Sequence, residues 1–182
     1  LSNNSGVGRS SKKKYSNIAE MRSMSEQTGH SVSIKAMVDN NDRNIVFSLP
    51  YIKEPIQAGI IFKAFGYTDP EDIINLIGID DPSADTYLKL IIRDSYFIGT
   101  SHEALQYIGK YSVHLIPKEK RYVYAKQVME KELFPHLGFS SDNKEKAILL
   151  GHILKKLLLI NIGLRKPDDR DNLVNKRIET TG

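Results

Sequence analysis

Asn143–Leu164 reads N-K-E-K-A-I-L-L-G-H-I-L-K-K-L-L-L-I-N-I-G-L, the longest and most apolar helical pattern in the chain. Only His152, Lys155 and Lys156 interrupt it with a polar stripe. The pattern therefore predicts a helix buried on most sides, capped by Ser141 or Asp142. Such a helix needs cover from more than one direction, so the rest of the chain is read for what can supply it.

Immediately upstream, Pro117-Lys118-Glu119-Lys120-Arg121 leads into an amphipathic pattern ending near Phe134. Val123, Val128, Met129 and Leu133 fall near one face, and Pro135 and Gly138 stop it. These two helices are expected to pair as an antiparallel hairpin. Further upstream lie shorter helical patterns, at Ile56–Phe65 closed by Gly66, Glu71–Ile77 after Asp69-Pro70, and a third running to about Ile98 from a cap at Ser83 or Asp85. In that third helix Tyr87, Leu88, Ile91, Ile92 and Ser95 are placed inward. A fourth starts at Ser101-His102-Glu103 with Ala104, Leu105 and Ile108 as its apolar stripe. Pro50 and Pro55 bracket a sharp turn.

The first third reads differently. Val32, Ile34, Ala36 and Val38 alternate with Ser31, Ser33 and Lys35, the period of a half-buried strand. Asp39-Asn40-Asn41-Asp42 is a turn cluster, and Ile45–Leu49 returns as a second strand, making Ser31–Leu49 a hairpin. Ile18–Met24 carries a mixed alternation suited to an edge strand. The fold class is thus α+β: a small antiparallel sheet near the N-terminus, then a helical C-terminal two-thirds. Leu1–Lys14, Ser/Asn/Gly-rich and ending in three lysines, is read as a flexible arm.

Composition bounds the rest. At 182 residues with 40% hydrophobic and 26% charged content, the chain can bury one sizeable core. Zero cysteines remove disulfides, zinc ribbons and thiol catalysis. Leu1 and the ending at Gly182 read as the bounds of a piece cut from a longer polypeptide. The net charge of +4 is unevenly spread: +3 over residues 1–44, −4 over 45–117 and +5 over 118–182. Basic ends around an acidic middle suit either a solvated surface or a face near a phosphate backbone.

The tail after the long helix, K-P-D-D-R-D-N-L-V-N-K-R-I-E-T-T-G over Lys166–Gly182, packs both signs of charge closely. Asp169 and Asp171 are close enough to suggest magnesium binding. Arg170 stands between them, however, with Arg165, Lys166 and Lys176 nearby, so ion pairs and helix caps fit better. Asp168, Asp169, Arg170 and Asp171 are taken as a junction ion-pair network, with no metal site. Lys118, Lys120, Arg121, Lys155, Lys156, Arg165, Arg170, Lys176 and Arg177 form a plausible phosphate-facing set, without interleaved aromatics for base stacking. Arg170, Lys176 and Arg177 are singled out for DNA-phosphate proximity. No catalytic residue emerges: the five histidines show no metal-ligand spacing, and no phosphate-cradling glycine motif is present.

E-K-R-Y-V-Y-A-K-Q-V-M-E-K-E-L-F-P-H-L-G at Glu119–Gly138, K-A-I-L-L-G-H-I-L-K-K-L-L-L at Lys146–Leu159 and D-D-R-D-N-L-V-N-K-R-I-E-T-T-G at Asp168–Gly182 resemble successive segments of one family. N-I-A-E-M-R-S at Asn17–Ser23 and L-P-Y-I-K-E-P-I-Q-A-G-I-I-F-K-A-F-G at Leu49–Gly66 add two earlier matches in the same order. The family is the second-largest subunit of multisubunit DNA-directed RNA polymerases. The resemblance covers nearly the whole chain from Tyr15 and implies the lobe, a mixed α/β domain beside the DNA cleft. It implies residues 15–166 as the lobe and 167–182 as a junction toward the protrusion and fork. The implied role is non-catalytic, within a nucleotidyltransferase whose magnesium is held by the largest subunit. The implied partners are that largest subunit, a small zinc-ribbon subunit, initiation factors and downstream DNA, with no membrane. Ile178–Gly182 departs mildly from the family's usual ending, which points toward a divergent polymerase such as that of a large DNA virus. Location would follow, nuclear for a cellular enzyme, host cytoplasm or virion for a viral one. The alternative from the residues alone is a free-standing basic helical module that binds an acidic protein partner.

Overall fold

The computed structural model describes residues 15–25, 27–40, 43–138 and 142–168. The arm Leu1–Lys14 and the segment Asp169–Gly182 lie outside the described residues. Four strands form one antiparallel sheet in sequential order: β1 Tyr15–Met24, β2 Ser31–Asp39, β3 Ile45–Ser48 and β4 Ile56–Gln57. Six α-helices follow among the described residues: α1 Ala58–Ala64, α2 Pro70–Ile77, α3 Asp85–Asp94, α4 Ser101–Lys110, α5 Arg121–Gln127 and α6 Asn143–Asn161. The α+β class read from the sequence is the observed one.

Strand alternation sets the sheet's two faces. Ala36, Ile34 and Val32 of β2 stand opposite Ala19, Met21 and Ser23 of β1 on the inner face, with Ile45 and Phe47 of β3 beside them in the core. Glu20 lies directly opposite Lys35 on the outer face, 3.6 Å from its ammonium, and accepts from Ser33 Oγ at 2.6 Å. β1 is the edge strand expected, and its register slips between Tyr15 and Ile18.

α6 lies at the centre. It packs on β1 and β2 on one side and on α2 on another. Ala147, Leu150, Leu154, Leu157 and Leu158 are completely excluded from solvent. Gly151 permits the close approach to α2: a Cβ there would lie 2.7 Å from the Leu76 carbonyl oxygen. At its C-terminus, Asn161 Oδ1 accepts from Asn17 Nδ2 at 2.8 Å and Asn161 Nδ2 donates to Tyr87 OH at 2.6 Å. One amide thereby ties the sheet, α6 and α3 together.

Several boundaries differ from the sequence reading, each for a local reason. Ile56 opens β4 rather than a helix, because Phe47↔Ile56 and Val46↔Gln57 pair before the chain turns into α1. The cap before α3 is Asp81, whose carboxylate accepts from Ser83 N at 2.8 Å and starts a 3₁₀ turn at Pro82–Ala84. α3 ends at Asp94 instead of near Ile98, since Ser95 Oγ bonds back to the Ile91 and Ile92 carbonyls. α4 begins with a capping box, in which Thr100 Oγ1 accepts from Glu103 N at 3.2 Å and Glu103 Oε2 accepts from Thr100 N at 3.3 Å.

The helix predicted to run from Pro117 to Phe134 is three short pieces. A 3₁₀ turn at Lys118–Lys120 and α5 give way to a π turn at Val128–Glu132, and Phe134 closes it with φ 58° before Pro135. Val123, expected inward, is 52% exposed, and Ala125 takes the buried place. Nor do α5 and α6 pair as a hairpin: α5 packs on α4, where Gly109 lets the backbone of Arg121 come close. α6 stops at Asn161, short of Leu164, and Asp142 caps its start by accepting from Lys144 N.

Candidate nucleic-acid interface

Three helical lysines finish other elements. A helix or turn ends with carbonyls that have no intrahelical donor, and an ammonium can satisfy them. Lys63 Nζ donates to Ser95 O at 2.8 Å and Ile98 O at 2.6 Å, closing the end of α3. Lys146, 1% exposed, donates from Nζ to Met129 O at 3.3 Å and to Glu130 O, where the π turn has loosened the helical ladder. Lys155 Nζ donates to Gly78 O at the left-handed end of α2. Burial depresses the pKa of both Lys63 and Lys146, with the Glu130 charge opposing it at Lys146. Lys155, read from the sequence as phosphate-facing, is thus committed to the fold. Lys63 and Lys146 were not singled out, because a lone lysine in an apolar stripe carries no sequence sign of its carbonyl partners.

One group of cations that stay available lies where α6 ends. Gly163 turns the chain with φ 82°, and Leu164 N and Arg165 N both donate to Leu159 O, bringing Arg165 back toward the helix. Arg165 Nη2 then meets Asp168 Oδ1 at 2.9 Å. That hydrogen bond holds the Asp168 carboxyl below its ordinary range, and the charges of Arg165 and Lys156 add to it against the cost of burial. His152, one turn earlier, is depressed first by burial and then by Lys156, Lys155 and Arg165. Lys156 makes no ion pair among the described residues. The helix end therefore presents a positive field around the imidazole, with Lys156 outside any ion pair among the described residues and Arg165 engaged by Asp168.

Of the four residues read as a junction network, Asp168 alone is described, and it pairs with Arg165, which lies outside that set. Asp169, Arg170 and Asp171 lie outside the described residues, as do Lys176 and Arg177. Among the described residues, no three His, Asp or Glu side chains are grouped as a metal site. No described helix is long and apolar enough to cross a membrane. Lys118, Lys120 and Arg121 sit at the entry to α5, which packs on α4, so the six described members of the basic set divide between two places instead of forming one stripe.

Residues 4–179 match the family model described as RNA polymerase Rpb2, domain 2. The chain is 33% identical over 172 residues to the DNA-directed RNA polymerase II subunit RPB2 of Encephalitozoon cuniculi, a match covering 92% of this chain and 15% of that protein. It is 34% identical over 184 residues to DNA-directed RNA polymerase II subunit 2 of Arabidopsis thaliana, covering 93% and 15% respectively. A viral relative is present too: the probable RPB2 homolog of Invertebrate iridescent virus 6 is 32% identical over 204 residues, covering 90% and 17%. The chain belongs to the family of second-largest RNA polymerase subunits, of which it is domain 2. It spans about 15% of the length of the first two relatives.

Proposed function

We propose that this domain is the lobe of a DNA-directed RNA polymerase, non-catalytic by itself, and that it walls the cleft over downstream DNA while docking accessory subunits or factors. The observation that carries the reading is the match of residues 4–179 to domain 2 of the second subunit. The cationic end of α6 supports the DNA side of it. Lys156 and Arg165 stand at the exit of the described chain, just before the basic residues Arg170, Lys176 and Arg177. Contacts from such a surface go to backbone phosphates and carry no sequence preference. Nucleotide addition belongs to the assembled enzyme, whose magnesium the family resemblance assigns to the largest subunit. Its compartment follows that enzyme, the nucleus for a cellular polymerase and the host cytoplasm or virion for a viral one.

Titration of the 182-residue chain with random-sequence duplex DNA at stepped salt concentrations tests the phosphate reading. Weak binding that falls steeply with salt and weakens further in Lys156→Glu is expected. Sub-micromolar binding that persists at high salt, or binding untouched by Lys156→Glu, would overturn it.

A further inference from the structure

The second basic group lies beside apolar side chains that the fold leaves uncovered. A hollow of about 290 Å³ opens between α4 and the entry to α5, and Phe97, Tyr107, Lys110, Lys118 and Arg121 are among its walls. Lys110 and Arg121 also border a second hollow of about 210 Å³, which reaches Lys53 and Leu115. Phe97 is 62% exposed and Leu115 fully exposed, so each hollow has one large apolar group in water, and the two hollows share Lys110 and Arg121. Isolated exposed apolar residues are ordinary, but a concave run of them edged by charge marks a docking surface.

Charge decides the kind of occupant. Glu103 borders the first hollow, but its carboxylate is held by Gly99 N at 2.9 Å and by the Thr100 cap. Glu54 is the acid at the second. Against these stand Lys53, Lys110, Lys118 and Arg121, none of which makes an ion pair among the described residues. Lys110 Nζ lies 5.4 Å from the Tyr111 ring centre, a contact that leaves its charge uncancelled. The excess is positive, so the fitting ligand is negative.

Ring geometry then separates nucleic acid from protein. Stacking of bases needs open aromatic faces in succession. Phe97 meets Tyr107 edge-on at 5.5 Å, and Tyr107 meets Tyr111 edge-on at 5.3 Å, with both tyrosines half-buried. Of the three rings Phe97 alone is exposed, so they offer one apolar anchor and not the succession of open faces that bases need.

We propose that the hollow between α4 and the entry to α5 docks an acidic segment of another polypeptide, seating one large apolar side chain beside Phe97 among Lys110, Lys118 and Arg121. This rests on the docking half of the reading above and specifies its chemistry. The α4–α5 hollow and the end of α6 share no wall residue, so either can fail alone.

The test uses the assembled polymerase and a fluorescein-labelled peptide of Asp and Glu carrying one central Phe, read by anisotropy at low salt. Binding is expected in the range of about 10 to 100 µM. Phe97→Ala and Lys118→Glu should each weaken it by about five-fold or more, as should replacing the peptide's Phe by Ala. Lys144→Glu, an equal charge change at the start of α6, should shift it by less than about two-fold. Absence of binding overturns the proposal, and so does equal binding by Phe97→Ala or by the peptide without Phe. An oligothymidylate that binds with the same dependence on Phe97 and Lys118 would also overturn it, in favour of nucleic acid. Loss of peptide binding would leave the salt-dependent DNA contact at Lys156 standing.

Discussion

α6 and α5 both read as helices with an apolar face, but they hold different positions. α6 is covered by the sheet on one side and by α2 on another, and it buries Leu150, Leu154, Leu157 and Leu158 completely. α5 leans on α4, buries only Ala125 within the helix, and leaves Val123 in water. The first region spends its apolar surface on stability. The second keeps some in reserve, beside hollows edged by cations that make no ion pair among the described residues. That difference separates the scaffold of the domain from the surface with which it can meet something else.

The largest expected effect sets the two regions directly against each other. Leu154→Ala should destabilise the chain by about 2–5 kcal/mol in denaturant unfolding, while Val123→Ala should change it by less than about 0.5 kcal/mol. Similar values at both positions would end the distinction.

A finer test uses the two close helix contacts. A Cβ on Gly151 would lie 2.7 Å from Leu76 O, and one on Gly109 would lie 2.4 Å from Arg121 O. Both Gly→Ala changes should cost about 1–3 kcal/mol by overpacking. Gly151→Ala should nonetheless cost more, despite the longer distance, because α6 is held from two sides and α5 has room to yield. The reverse order would mean that the α4–α5 seam is the rigid one.

Lys146 sharpens the comparison through its charge. Lys146→Met keeps most of the volume but strips the Met129 and Glu130 carbonyls of their donor, and should cost about 1–2 kcal/mol. The wild-type ammonium is depressed below 10.5 by burial, so the unfolded chain binds more protons between the folded pKa and 10.5. In that window its contribution makes stability rise with pH, and Lys146→Met should remove that part of the slope.

The smallest effect is expected at the seam between the sheet and the turn Pro135–Leu137. Ser23 Oγ lies 2.6 Å from His136 Nδ1 and accepts from His136 N at 3.2 Å. Burial holds the His136 imidazole below its ordinary 6.5, so the unfolded chain takes up a proton first on acidification. Stability carried by neutral His136 is present above about pH 6.5 and lost as the pH falls toward the folded value. His136→Gln should make unfolding less sensitive to pH between 7 and 5, measured by thermal melts at matched ionic strength.

These examples also show where the sequence was readable. Val32, Ile34, Ala36 and Val38 announced β2 because one wet face and one dry face impose period two. The long apolar run announced α6 in the same way. Ser23 broke the pattern, buried for the sake of His136, which lies 113 residues away. The pieces around Lys118–Glu132 were misread as one helix, since the π turn depends on carbonyls answered by Lys146 on a later element. The nine basic residues looked like one surface because charge along a chain says nothing of which helix covers which. Lys155 closes α2, and Lys118 and Arg121 face the α4–α5 hollow. Of Asp168, Asp169, Arg170 and Asp171, read as a junction, and Arg170, Lys176 and Arg177, read as nearest to phosphate, Asp168 alone is described, and its partner is Arg165.

The proposed division between a DNA-facing helix end and a protein-docking hollow is tested most directly by photo-crosslinking in the assembled polymerase on a DNA template. A photoreactive residue replaces Lys156 in one preparation and Lys118 in another. The account predicts that the probe at Lys156 labels downstream duplex DNA, with a yield that falls as salt rises, while the probe at Lys118 labels polypeptide and no DNA. DNA labelling from Lys118, or none from Lys156 at low salt, would contradict it.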